Sequence, residues 1–204
     1  SFGIQGGGVS SKPDAKLQTT FSTLDYRLKS RFGYSAGFIA DLPFGESGFR
    51  LMPELTYVTK GAKADAAFSF LGQNISINGK STINYIDLPV HFGYAVPLGN
   101  NRLVIGAGPY GSVGIYGNSI TKTSTNGVAE VEEKRDVSFG NAADQTKRFD
   151  YGASFMAGFI FENGLMIKAN YGLGIANVSN RTDSDYRNRH LGLSLAWFLL
   201  RGGK

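Results

Sequence analysis

From residue 149 to residue 162 the chain alternates without a break. Phe149, Tyr151, Ala153, Phe155, Ala157, Phe159 and Phe161 share one parity; Asp150, Gly152, Ser154, Met156, Gly158, Ile160 and Glu162 share the other. Successive side chains of an extended strand point to opposite faces, so this segment is a strand with one apolar and one mixed face. Asn163-Gly164 follows, and both residues accept the positive φ of a type I′ hairpin turn. Seven further segments carry the same signal. The alternation predicts eight strands, over residues 2–9, 31–42, 49–60, 82–97, 102–117, 149–162, 165–177 and 189–200.

The connections sort by parity. The first, third, fifth and seventh are long (10–30, 61–81, 118–148 and 178–188), whereas the second, fourth and sixth are short (43–47, 98–101 and 163–164). Long loops at one end and tight turns at the other describe a meander crossing a bilayer, with most strands above the ~9–11 residues a tilted crossing needs. The expected fold is all-β: one antiparallel up-and-down transmembrane barrel over residues 1–204, with long extracellular loops and short periplasmic turns. A second alternation inside 66–77 (Phe68, Phe70, Ile75, Ile77) predicts either longer strands or an extra hairpin, which would make ten strands.

Which face meets the solvent decides between a membrane barrel and a soluble lipocalin-like one. No apolar run approaches the ~20 residues of a spanning helix. The mean hydropathy of −0.14 is what alternating strands average to. Aromatics concentrate near strand ends on the apolar face. Tyr34, Tyr57, Tyr151 and Tyr171 lie toward the long loops; Tyr94, Phe161 and Trp197 lie toward the short turns. Such bands mark the two lipid–water interfaces, so these seven are expected to form the aromatic girdle. The mixed face interleaves glycine with a few charges, as a lumen requires and a solvated surface does not. Arg50, Glu54, Asp87, His91 and Lys168 are the expected polar network of that lumen, because buried charges must be paired.

Several segments, in this order, resemble a known family. Gly33-Tyr34-Ser35-Ala36-Gly37-Phe38 is followed by Leu51-Met52-Pro53-Glu54-Leu55-Thr56-Tyr57 and then by Ile83-Asn84-Tyr85-Ile86-Asp87-Leu88-Pro89-Val90. Gly106-Ala107-Gly108-Pro109-Tyr110, Phe149-Asp150-Tyr151-Gly152 and Asn170-Tyr171-Gly172-Leu173-Gly174-Ile175 complete the set. Together they resemble the outer-membrane β-barrel domain of PorT-like, or "porin family", proteins common in Bacteroidota. The resemblance implies a bacterial outer-membrane location, a signal peptide already removed, and insertion by the barrel-assembly machinery. Leu191, Leu193, Leu195 and Trp197 then stand as the strand that machinery reads, although Arg201-Gly202-Gly203-Lys204 differs from the family's usual aromatic terminus. The family implies no single activity.

Motifs for catalysis are weak. Asp87 and His91 share a face but lie about 13 Å apart at ~3.3 Å per residue, too far for a direct hydrogen bond. His190 near Asp183 and Asp185 has the types of a rim acid–base site, yet no oriented third group accompanies it, and an exposed polar loop is the plainer reading. The chain has no Cys, and its two His lack metal-ligand spacing. Asp183-Ser184-Asp185 is too short for a calcium loop. Gly6-Gly7-Gly8 and Gly106-Ala107-Gly108 lack the context of phosphate loops. The expectation is therefore a non-enzyme without cofactor. The net charge of +5 is spread along the chain, with no nucleic-acid-binding motif.

Two functions remain. One is a structural or interaction subunit of an envelope complex, with a protein partner held by the loops, notably 118–148. The other is a small passive channel, disfavoured because eight strands leave little bore. Basic residues near the long loops (Arg27, Lys29, Arg31, Lys147, Arg148, Arg181, Arg187, Arg189) are expected to meet phosphates of outer-membrane lipid, including lipopolysaccharide.

Overall fold

The computed structural model describes residues 1–17, 25–45, 47–70, 72–181 and 184–200. Thirteen strands occur among them: β1 (Phe2–Ser11), β2 (Asp14–Leu17), β3 (Asp25–Lys29), β4 (Arg31–Ala40), β5 (Leu42–Pro43), β6 (Phe49–Phe70), β7 (Gln73–Leu98), β8 (Asn101–Thr125), β9 (Val128–Asp136), β10 (Phe149–Ile160), β11 (Leu165–Gly174), β12 (Ser184–Arg187) and β13 (Arg189–Leu200). Eight of them close a ring in the order β1-β4-β6-β7-β8-β10-β11-β13, every pair antiparallel, with β13 returning to β1. Closure leaves no strand edge at bilayer depth, which a membrane core demands.

The wall is inside-out relative to a soluble protein. Phe32 is 80% exposed and Leu193 64%, whereas Lys60 and His91 are each 1% exposed. The alternation thus places apolar side chains outside and charges inside, as lipid requires.

The ring has the expected eight strands, and the alternative of ten does not form. The alternation inside 66–77 lengthens β6 and β7, which stay paired from Phe49↔Tyr94 up to Phe70↔Gln73. Residues 118–148 are likewise not one structureless loop. β8 runs on to Thr125, turns through Asn126 (φ +51°) and Gly127 (φ +73°), and returns as β9. This is the Asn-Gly turn with two positive φ values. At Asn163-Gly164, where that turn was expected, only Gly164 takes a positive φ, +87°. There Gly164 N–H donates to the Phe161 carbonyl (2.9 Å) and Phe161 N–H to the Leu165 carbonyl (2.8 Å). The result is a three-residue loop closed by a bulge glycine. It ends β10 at Ile160 instead of 162. β4 ends at Ala40; Asp41 still exchanges backbone hydrogen bonds with Ser1, 2.8 Å each way, while its side chain binds inside the barrel. β11 ends at Gly174, short of the expected 177.

Above the membrane the ring opens. β3 pairs with β6, and β9 pairs with β8, so β3-β6-β7-β8-β9 forms a five-stranded sheet that continues one side of the barrel outward. On the opposite side β2 pairs with β12.

Candidate functional site

The lumen is filled in layers, and β6 supplies a rung to each. At the periplasmic end the Arg50 Nε–H donates to Asp41 Oδ1, and Nη2–H donates to Asp41 Oδ2 at 2.9 Å. Arg102 Nη2 lies 3.8 Å from the same carboxylate. Two residues on, Met52 joins Met156 and Met166 in an apolar layer with Ile39, Val104 and Phe198. These are all three methionines of the chain. Thioether chains have three rotatable bonds and fill irregular space, which suits a layer where eight strands converge. Gly158 makes part of that room, since a Cβ there would collide with Met166 Cε.

Glu54 centres the next layer. Its Oε2 accepts from Lys168 Nζ at 2.5 Å and from Gln5 Nε2 at 2.7 Å, and Lys168 also donates to Gln5 Oε1 at 2.7 Å. His91 Nδ1 stands 3.4 Å from Glu54 Oε1, while Nε2 is 2.9 Å from Ser154 Oγ. Higher still, Lys60 Nζ is 2.8 Å from Asp87 Oδ2 and 3.7 Å from Asp150 Oδ2. The Lys60 ammonium also lies 5.0 Å from the ring centroids of Tyr85 and Tyr110, within reach of a cation–π attraction. One cation thus faces two carboxylates. Asp150 draws further donors from Asn188 Nδ2 (2.9 Å) and Tyr110 Oη (3.3 Å).

The five residues read from the sequence as one network therefore occupy three levels: Arg50 low; Glu54, His91 and Lys168 together; and Asp87 above. Asp87 and His91 do not meet. Their partners Asp41, Lys60, Asp150 and Gln5 stood outside that set, although strand parity points them inward. A cavity of ≈30 Å³ remains among Gln5, Glu54, Asp87, His91, Lys168 and His190. It is space for about two water molecules at ~10–15 Å³ each.

His190, read from the sequence as part of an exposed polar loop rather than of a rim acid–base site, lies elsewhere. His190 is buried against Gly172, with its ring edge-on to Tyr110 at 6.1 Å. Asp185 instead pairs with Arg187 at 2.9 Å, and Asp183 lies outside the described residues. His190 is thus a lumen residue rather than part of an exposed loop. Among the described residues, no group of three His, Cys, Asp or Glu is placed to hold a metal ion.

Of the seven aromatics expected to form a girdle, six lie on barrel strands and Phe161 lies in the turn after β10. Tyr34 stacks on Tyr57 at 6.0 Å. Tyr94 meets Phe49 edge-on at 5.2 Å, and Phe161 meets Phe159 edge-on at 4.9 Å. Tyr151, Tyr171 and Trp197 are exposed. Several of the rim cations are matched by carboxylates: Lys29 with Asp65 (2.5 Å), Arg187 with Asp185 and Arg189 with Asp14 (2.6 Å).

The barrel mouth is closed from above. After β9 the chain folds inward, and Val137 and Phe139 pack on Val9, Val58, Ile83 and Tyr85. Gly114 and Gly117 admit them: a Cβ on Gly114 would lie 2.5 Å from Phe139 Cε1, and one on Gly117 would lie 3.0 Å from Val137 Cβ.

The chain is similar to neisserial surface protein A (NspA), at 12% identity over 96% of each chain, with a TM-score of 0.40. It is similar to OprG of Pseudomonas aeruginosa at 14% identity, over 96% of this chain and 94% of that one, with a TM-score of 0.44. It is also similar to Ail of Yersinia pestis, solved with the heparin analogue sucrose octasulfate, at 14% identity over 96% and 97% of the two chains, with a TM-score of 0.36. No curated protein matches the sequence. The sequence signature of the outer membrane protein beta-barrel domain matches residues 1–180. With an apolar wall, a closed eight-strand ring and that signature over most of its length, the chain belongs to the outer membrane protein β-barrel domain family.

Proposed function

We propose that this protein is a non-catalytic component of the bacterial outer membrane, a barrel that anchors an extracellular surface for a protein partner in an envelope complex. The observation that carries the reading is the sealed lumen. The methionine layer closes it near the periplasmic end, with the Arg50–Asp41 pair beneath; Val137 and Phe139 cap it above, and two charged groups, around Glu54 and around Lys60, fill the space between. A barrel of this size has no aqueous channel to spare. The extracellular sheet, by contrast, is elaborated far beyond what crossing requires, and elaborated loops and projecting elements are where binding surfaces arise. The ordered motif set further supports a place in the PorT-like branch of Bacteroidota. Lipopolysaccharide is the lipid met on the outer leaflet, where exposed Lys147 and Arg148 stand near the rim.

The test is twofold. The tagged barrel, purified from native outer membranes in mild detergent, is expected to bring down one stoichiometric protein. In planar bilayers it is expected to remain closed. Reproducible single-channel openings, with no co-purifying protein, would replace this reading with the passive channel.

A further inference from the structure

Between the projecting sheet and the two loops opposite it lies an extracellular cup of ≈420 Å³. That size falls in the ~300–1,000 Å³ range of small-ligand sites. Its floor is the inner face of the sheet: Leu28, Ala62, Ala64, Gly79 and Ile83. Its far wall carries Asp144, Gln145, Arg181 and Tyr186.

Gly79 is the informative residue. It takes no positive φ. A Cβ placed on it would meet nothing closer than the Ala64 carbonyl oxygen at 3.7 Å. Neither backbone conformation nor packing within the barrel calls for glycine there. Glycine inside a strand otherwise marks close approach by a ligand or another backbone, and the space this one leaves opens into the cup.

The far wall is held in place. Asn180 Nδ2 donates to the carbonyls of Gly140 (2.6 Å) and Gln145 (3.1 Å), tying the two loops together. Lys147 N–H donates to the Val178 carbonyl at 2.9 Å. Asn177 Oδ1 accepts from the backbone N–H of Tyr186 at 3.0 Å. A wall set before binding lowers the ordering cost of a ligand.

We propose that this cup binds a saccharide. A pyranose ring offers one face of C–H groups and an edge of hydroxyls. The small, apolar floor fits the face. The wall supplies three planar polar groups for the edge: a carboxylate that accepts, a guanidinium that donates and an amide that does both. Tyr186 adds an amphipathic surface of the kind that packs against such a ring.

The probe is an array of defined oligosaccharides, each displayed lipid-free and lipid-linked, incubated with the intact barrel in detergent and followed by calorimetry on the retained sugars. The wild type is expected to retain a saccharide. Gly79→Leu, which fills the cup, is expected to weaken it at least tenfold. Asn78→Leu, which adds the same bulk on the opposite face of β7, is expected to leave it unchanged. Gel mobility of the unheated protein checks that each variant is folded. Retention of lipid-free sugar supports the site with a glycan from outside the cell as its ligand; retention of lipid-linked sugar alone supports it with the membrane's own glycolipid. No retention, or equal binding by Gly79→Leu, overturns the proposal. Protein co-purification is read separately, so either idea can fail while the other stands.

Discussion

One strand, β6, passes through two environments, and its two halves read in opposite senses. Up to Lys60 its inward, buried residues include all of its lumen charges, Arg50, Glu54 and Lys60, and its outward ones include Leu55 and Tyr57. Beyond Gly61 the inward residues are Ala62 and Ala64 on the cup floor, and the outward ones are Lys63 and Asp65, the latter paired with Lys29. The ladder to β7 continues across the change. Backbone pairing is therefore indifferent to the solvent, and side-chain polarity alone sets where the membrane ends. Below, charge is tolerated only where it is enclosed and matched. Above, charge faces water, and small neutral residues face the cup.

Substitutions sharpen this contrast, beginning with the largest expected effect. Lys168→Met leaves Glu54 enclosed without its cation and is expected to cost ~3–5 kcal/mol. Glu54→Leu combined with Lys168→Met should recover most of that loss, as measured by urea unfolding in lipid vesicles. If the single and double variants unfold alike, the pairing argument fails. Leu193→Arg sets a charge against hydrocarbon and is expected to cost ~2–4 kcal/mol in the same assay. Lys63→Leu, on the outer face above the boundary, should stay within about 0.5 kcal/mol. Equal losses for those two would remove the boundary drawn at Gly61.

Gly114→Leu drives into Phe139 and is expected to cost ~1–3 kcal/mol as an overpacked site. It should also raise protease sensitivity of the segment 137–148 while the barrel itself survives. An unchanged digestion pattern would mean that Phe139 does not hold the mouth. Lys29→Ala removes a surface ion pair with Asp65, for which about 0–1 kcal/mol is expected. A larger loss would show that β3 depends on that pair to stay on the sheet.

The cores of the eight crossing strands, their antiparallel order and the inside-out wall were all legible in the sequence. Strand parity is a local property and survives whatever surrounds it. The inward placement of Arg50, Glu54, Asp87, His91 and Lys168 followed from the same parity. Their partners did not, because which inward residues meet depends on stagger between strands far apart in sequence, as with Gln5 and Lys168. The Asn126-Gly127 turn was written in the chain, but the polar run around it concealed a hairpin that long-range pairing with β7 and β8 stabilises.

The sequence by itself determined that this chain is a membrane barrel, with eight strands as the expected count and ten as the alternative, because a period of two with one apolar face has few other solutions. Only the tertiary structure decided that the lumen is sealed at one methionine layer and that three strands rise past the membrane to wall a cup. Those features depend on which side chains reach the same height around a closed ring, and no local pattern encodes that.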